Sequence, residues 1–250
     1  MTKTLKAIRT YSLMNKPKVI FFGNEQLAQG LERAITPTFD ALISEGYEIS
    51  ALLLPSENTK KPLKIAEVAK SRDVPVFYTR NSVEILEVVR DKKPDVGVLA
   101  SFGMMIPQSV IEAFPLGILN IHPSMLPKYR GTTPIESAIL NGDKTTGVSV
   151  MKLVREMDAG PVFAQKEVTL DGTETKQELY EKLARIGAEL MMNVLKCVVK
   201  NTVTPKIQDE IRATFTKRLF KKDGQIEPEK YSAVEIERQI RAYAGFPKSK

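Results

Sequence analysis

The chain has 250 residues, 42% hydrophobic and 27% charged, a composition that fills a globular core and excludes a disordered or fibrous protein. No apolar run reaches the ~18 residues of a membrane span, and a single cysteine, Cys197, excludes an internal disulfide. One histidine and one cysteine also exclude a zinc site of the usual nitrogen and sulfur type, while the formal charge of +7 fits a polyanionic partner such as RNA or a phosphorylated substrate.

The first acidic residue is Glu25, and Lys3, Lys6, Arg9, Lys16 and Lys18 precede it. Residues 1–15 therefore read as a short basic tail, with an organelle transit segment as the alternative. Lys18 to Phe22 (KVIFF) is a buried strand closed by Gly23-Asn24. A helical stretch is predicted from Glu25 to about Ser44, interrupted near Pro37. Strand Tyr47 to Leu54 follows, then helix Leu63 to Arg72, strand Val74 to Tyr78 and helix Val83 to Arg90. Val96 to Ala100 (VGVLA) and Ile118 to His122 are further buried strands. This alternation predicts an α/β, Rossmann-like domain: a mostly parallel sheet with helices on both faces. Ligands in such sheets bind beyond the carboxyl ends of the strands, here the loops after Phe22, Ala100 and His122. The text after the first strand, FFGNEQLAQG, lacks the G-x-G-x-x-G spacing, so no dinucleotide cradle is expected.

Thr146 to Val154 and Pro161 to Leu170 are predicted strands joined by Arg155 to Gly160. A helix from Lys176 to Val199 is apolar at Leu179, Leu183, Ile186, Leu190 and Val194, and should hold Cys197 buried. Residues 201–227 are polar and basic, with Lys217, Arg218, Lys221 and Lys222. A last helix, Ala233 to Tyr243, ends at Gly245-Phe246-Pro247. The expected organisation is a tail over 1–15, a catalytic domain over 16–203, and a linker with a C-terminal helix over 204–250.

The lone histidine, His122, is the one imidazole available for proton chemistry near neutral pH. Asn120 lies two residues before it, on the same face of a strand that runs into a Pro-rich loop. In the run V-R-E-M-D-A-G-P-V, Asp158 precedes a loop-forming Ala-Gly-Pro and would orient His122 and favour its charged form; Glu156 competes for that role. Asn, His and Asp without a serine or cysteine nucleophile point to direct group transfer. Asn120 and His122 would hold an oxyanion, and His122 would carry the proton. Ser124 lacks the G-x-S-x-G setting of a nucleophile and reads as a loop-shaping residue.

These motifs, N-x-H, S-x-L-P, R-G-x-x-P-I and M-D-A-G-P, resemble the formyltransferases that use 10-formyltetrahydrofolate, and the likeness runs from KVIFFGN to RAYAGFP. R-G-T-T-P-I and the Thr204 to Glu210 stretch are similar to the branch that acts on methionyl-tRNA. The resemblance implies a catalytic trio of Asn120, His122 and Asp158. It implies folate contacts from Ser124, Met125, Leu126 and Pro127, and a pterin-pocket loop of Phe102, Gly103, Met104 and Met105. Arg130, with Lys60 and Lys61, would face the acceptor. It further implies a folate co-substrate, no metal, the initiator Met-tRNA as partner, a monomer, and a bacterial-type cytoplasmic setting. That branch continues into a C-terminal β-barrel and has a longer basic loop after the second strand than Pro55 to Pro62 provides. The competing expectations are a sugar-nucleotide N-formyltransferase with the same donor, and a tRNA- or folate-binding remnant without turnover.

Overall fold

The computed structural model describes residues 16–56 and 63–250. The basic tail, Lys60 and Lys61 lie outside the described residues.

Strand β1, Val19–Phe22, is buried at every position, as a strand covered on both faces must be. Val19 and Phe21 pack into one core cluster, Ile20 and Phe22 into the other. Helix α1 (Pro37–Ser44), β2 (Ile49–Pro55), α2 (Lys64–Ser71), β3 (Val76–Thr79), α3 (Ser82–Lys92) and β4 (Val96–Leu99) follow in alternation. After them come the short α4 (Gln108–Ile111), β5 (Ile118–His122), α5 (Pro134–Leu140), β6 (Thr145–Lys152), β7 (Val162–Thr169), α6 (Lys176–Val199) and α7 (Ala233–Ala242). They build one seven-stranded sheet in the order β3-β2-β1-β4-β5-β6-β7. The first five strands are parallel, and β6 and β7 return antiparallel. The strand order reverses between β1 and β4, so the ligand-binding crevice of an open α/β sheet falls at the carboxyl ends of β1, β4 and β5.

Local sequence explains the helix boundaries. Asn81 caps α3 by accepting from the Val83 and Glu84 amides. Thr175 with Glu178 and Ser232 with Glu235 form reciprocal capping boxes on α6 and α7. The 24-residue α6 buries Leu179, Leu183, Met191 and Leu195 against α1 and β6, while Cys197 is half-buried rather than enclosed.

One predicted element is corrected. No helix forms over 25–36; α1 starts only at Pro37. Glu25 has a left-handed backbone, φ 58°, and folds its carboxylate forward onto the Thr38 and Phe39 amides at 2.7 and 3.2 Å. The side chain counted as part of the helix is instead the acid that satisfies the free amides of its first turn. Burial pushes that carboxyl up to about 7.

Residues 204–250 pack against the sheet domain. Lys206 bridges Val162, Phe215 bridges Arg130, and α7 lies on α5. The backbone of Gly245 and Phe246 sits so close to Gly30 that a Cβ there would meet it at 2.6 Å.

Candidate active site

β5 ends in the crevice. Its alternation sends Leu119 and Ile121 into the α1 and α6 core and leaves Ile118, Asn120 and His122 on the other face. Asn120 and His122 are 5% and 4% exposed, paired across the sheet with Met151 and Ser149. The loop after β5 then curls back over the imidazole. Tyr129 has φ 62°, a rare conformation for a bulky residue, and this aims its carbonyl at His122 Nε2 at 2.8 Å. A carbonyl only accepts, so Nε2 carries a hydrogen and Nδ1 is the nitrogen left to exchange a proton. Nδ1 faces Asp158 Oδ2 at 3.6 Å, within ion-pair range but too long for a hydrogen bond. The orienting bond of the ring is therefore made by Tyr129; Asp158 supplies charge beside a nitrogen whose lone pair is unspent.

Asp158 sits in the loop between β6 and β7, also with a left-handed backbone at φ 50°. Its Oδ2 accepts from the Gly131 amide at 2.8 Å. Two residues on, Gly160 packs so tightly that a Cβ would lie 1.8 Å from the Lys152 carbonyl oxygen, so the chain admits only glycine there. Gly131 is similarly confined by Thr216, at φ 112°. Asn120, His122 and Asp158, far apart in sequence, thus converge at one end of the sheet.

The remaining candidates divide. Ser124 is fully buried, its hydroxyl donating to the Lys128 carbonyl at 2.5 Å, which shapes the loop. Leu126 is buried with Met151 and Val162, and its amide and carbonyl are taken by Ser149 and Gln165. Met125 and Pro127 are half-buried. Phe102 is core, edge-on to Phe22 at 5.4 Å, whereas Met105 is 64% exposed and Gly103 has open space where a Cβ would stand. The β4 end of the crevice thus presents an apolar lip of Gly103, Met104 and Met105 over a buried Phe102.

Arg130 is 2% exposed. Its Nε and Nη2 donate to Gln208 Oε1 at 3.1 and 2.9 Å, and Nη1 and Nη2 to the Glu210 carboxylate at 2.9 and 2.6 Å. This arginine holds the Glu210 carboxyl below its ordinary range. Four of the five guanidinium N–H groups are thereby engaged within the protein. A cavity of about 530 Å³ opens next to the Asp158 loop, lined by Arg130, Val154, Glu156, Met157, Ala159, Glu210 and Phe215. Met157 and Ala159 flank Asp158, and Arg130 lies between the two residues that touch His122 and Asp158. Phe215 and Met157 are 69% and 51% exposed, an apolar wall in water. Sequence reasoning did not single out Tyr129, Gln208, Glu210, Met157 or Phe215. Among the described residues no group of three His, Cys, Asp or Glu is arranged to hold a metal, and no helix is long and apolar enough to cross a membrane.

The formyl transferase family pattern matches residues 18–195. The methionyl-tRNA formyltransferase of Chloroflexus aurantiacus is 37% identical over 92% of this chain and 74% of its own length. That of Coxiella burnetii is 33% identical over 92% and 73%. Among solved structures, HypX from Aquifex aeolicus shares the fold with a TM-score of 0.71 at 18% identity, over 93% of this chain and 36% of its own. The N-formyltransferase from Helicobacter canadensis, solved with folinic acid and dTDP-3-aminofucose, gives 0.69 at 18% identity, over 90% and 79%. By sequence and fold together, the chain belongs to the formyl transferase family, among the methionyl-tRNA formyltransferases.

Proposed function

We propose that the chain transfers the formyl group of 10-formyltetrahydrofolate to the amino group of methionyl-initiator tRNA. The observation that carries the chemistry is the fixed imidazole: Nε2–H is pinned by the Tyr129 carbonyl, and Nδ1 is free beside Asp158. The attacking amine forms a bond to the formyl carbon and yields its proton to Nδ1. Asp158 stabilises the imidazolium, and the Asn120 amide donates to the oxygen that gains charge. Nδ1–H then returns the proton to the departing nitrogen as its bond to carbon breaks, leaving tetrahydrofolate. Preorganised donors of this kind are usually the largest single contribution to such a reaction. The lip of Gly103, Met104 and Met105 suits a flat heteroaromatic ring, and Ser124 to Pro127 builds the wall beside it.

For the acceptor, sequence similarity favours methionyl-tRNA. So does the surface next to the cavity, where exposed Phe215 and Phe220 alternate with exposed Arg212, Lys217, Arg218, Lys221 and Lys222. Bases stack on aromatic rings while cations follow the phosphates. Given side by side, methionyl-initiator tRNA should be formylated and amino-sugar nucleotides should not; the reverse pattern would overturn the acceptor assignment.

Reversing the charge of Lys217, Arg218, Lys221 and Lys222 together should weaken tRNA binding most at low salt. The slope of log K against log[salt] should flatten by roughly 0.7 to 0.9 per lost phosphate contact. An unchanged slope, measured by filter binding, would remove these residues from the interface.

A further inference from the structure

We propose that Gln208 is a positioning residue for the transfer step, setting Asp158 against His122 from a segment that lies beyond the last long helix of the sheet domain. The inference rests on the catalytic reading above and deepens it.

Three consecutive residues of the loop after β5 each hold one part of the site. The Tyr129 carbonyl holds His122 Nε2, and the Gly131 amide holds the Asp158 carboxylate. Arg130 between them holds Gln208. The Gln208 amide is only 7% exposed and makes four hydrogen bonds. Its oxygen accepts two from Arg130. Its nitrogen donates to the carbonyls of Asp158 and Gly160 at 2.8 and 2.7 Å. An amide has one accepting oxygen with two lone pairs and two N–H donors, so all its capacity is used here. The effect is to tie the backbone on both sides of Ala159 to the loop that orients the histidine.

Asp158 requires such a tie. A non-glycine residue with φ 50° is strained and persists where its surroundings over-determine it. In the opening of its loop Val154, Glu156 and Met157 line the cavity, and residues 155–157 are exposed. Besides Gln208, Asp158 and its loop are held by the Gly131 amide, the His122 ring at ion-pair distance, the turn bond from the Ala159 amide to the Glu156 carbonyl and the tight seat of Gly160 on Lys152. The same segment braces the histidine loop. Thr214 takes the amides of Tyr129 and Arg130 with its hydroxyl and carbonyl, and Thr216 donates its amide to the Arg130 carbonyl. Gln208 is the member of this brace that reaches across to the acid.

A residue acting through Asp158 has a kinetic signature that a merely structural residue lacks. Gln208→Met removes all four hydrogen bonds at similar volume. Gln208→Glu keeps an acceptor for Arg130 but has no donor for the two carbonyls. Formyl transfer from 10-formyltetrahydrofolate to methionyl-tRNA should lose kcat by up to about 10²-fold in either variant, the scale of a 1 Å misplacement. KM for the folate should change less than two-fold, and each variant should still melt cooperatively. In the Asp158→Asn background the same Gln208 substitutions should cost less than three-fold, because the group they position is already disabled. A Gln208 loss that is undiminished in that background would overturn the proposal. If Asp158→Asn alone leaves kcat intact, the catalytic reading itself falls and the proposal falls with it.

Discussion

His122→Ala is expected to cut formyl transfer by between about 10² and 10⁴-fold in kcat, the range removed with a general acid–base group, while folate binding stays measurable. The expected effect is large because the proposed mechanism gives successive tasks to one ring. The sequence holds no second histidine to stand in for the ring. The tautomer is fixed before the reaction begins, since Nε2 must donate to the Tyr129 carbonyl. In the proposed mechanism Nδ1 receives the amine proton with no ring flip and no loss of the orienting bond. Single-turnover transfer isolates this step from product release, and tetrahydrofolate titration tests whether the crevice survives. Turnover within ten-fold of the wild type would refute the role assigned to His122.

The strands were readable because a sheet covered on both faces writes itself as continuous apolar runs. VIFF, VGVL and the start of ILNIH are such runs, and each is a buried strand. The stretch over 25–36 misled because its polar and apolar residues fit a helical pattern, whereas Glu25 caps the following helix through space from a left-handed backbone. Pattern alone does not register a side chain that folds forward by 13 residues. The convergence of Asn120 and His122 followed from the two-residue repeat of a strand. What the sequence hid was the means by which they are held. The Tyr129 carbonyl and the Gly131 amide belong to the backbone and leave no residue-type signature. Arg130 carried a readable motif but not its partners, Gln208 and Glu210, which lie 78 and 80 positions away. Phe102 lies in the loop after β4, where its ring fills the core against Phe22 and the exposed surface is left to Gly103 and Met105.

Lys176→Met should destabilise the fold by about 3–5 kcal/mol at pH 8, the cost of leaving a buried charge without its partner, and by clearly less at pH 5. Lys176 and Glu136 are each 1% exposed, with Nζ 3.9 Å from the carboxylate. The ammonium also donates to the carbonyls of Gln29 and Phe246 at 2.7 and 2.8 Å, so it joins α6, α5, the loop before α1 and the C-terminal segment. Neither carboxylate oxygen of Glu136 has a hydrogen-bond partner among the described residues. Burial pushes Glu136 up to about 7 against the opposing pull of Lys176, and burial pushes Lys176 down. The sign follows from linkage. A carboxyl whose folded pKa lies above its ordinary 4.5 lends stability that is complete below about 4.5 and is lost as pH rises through about 7. Glu25, also raised to about 7, adds to the same decline. Removing the ammonium lifts the folded pKa of Glu136 further. The variant's loss therefore grows above neutrality and shrinks where the carboxyl can protonate, down to a pH-independent part from the two carbonyls. Glu136→Gln should in turn flatten the wild-type fall in stability between pH 5 and 8. Urea midpoints at the two pH values decide the matter: an equal cost of Lys176→Met at both would show that Glu136 carries no charge for the lysine to balance.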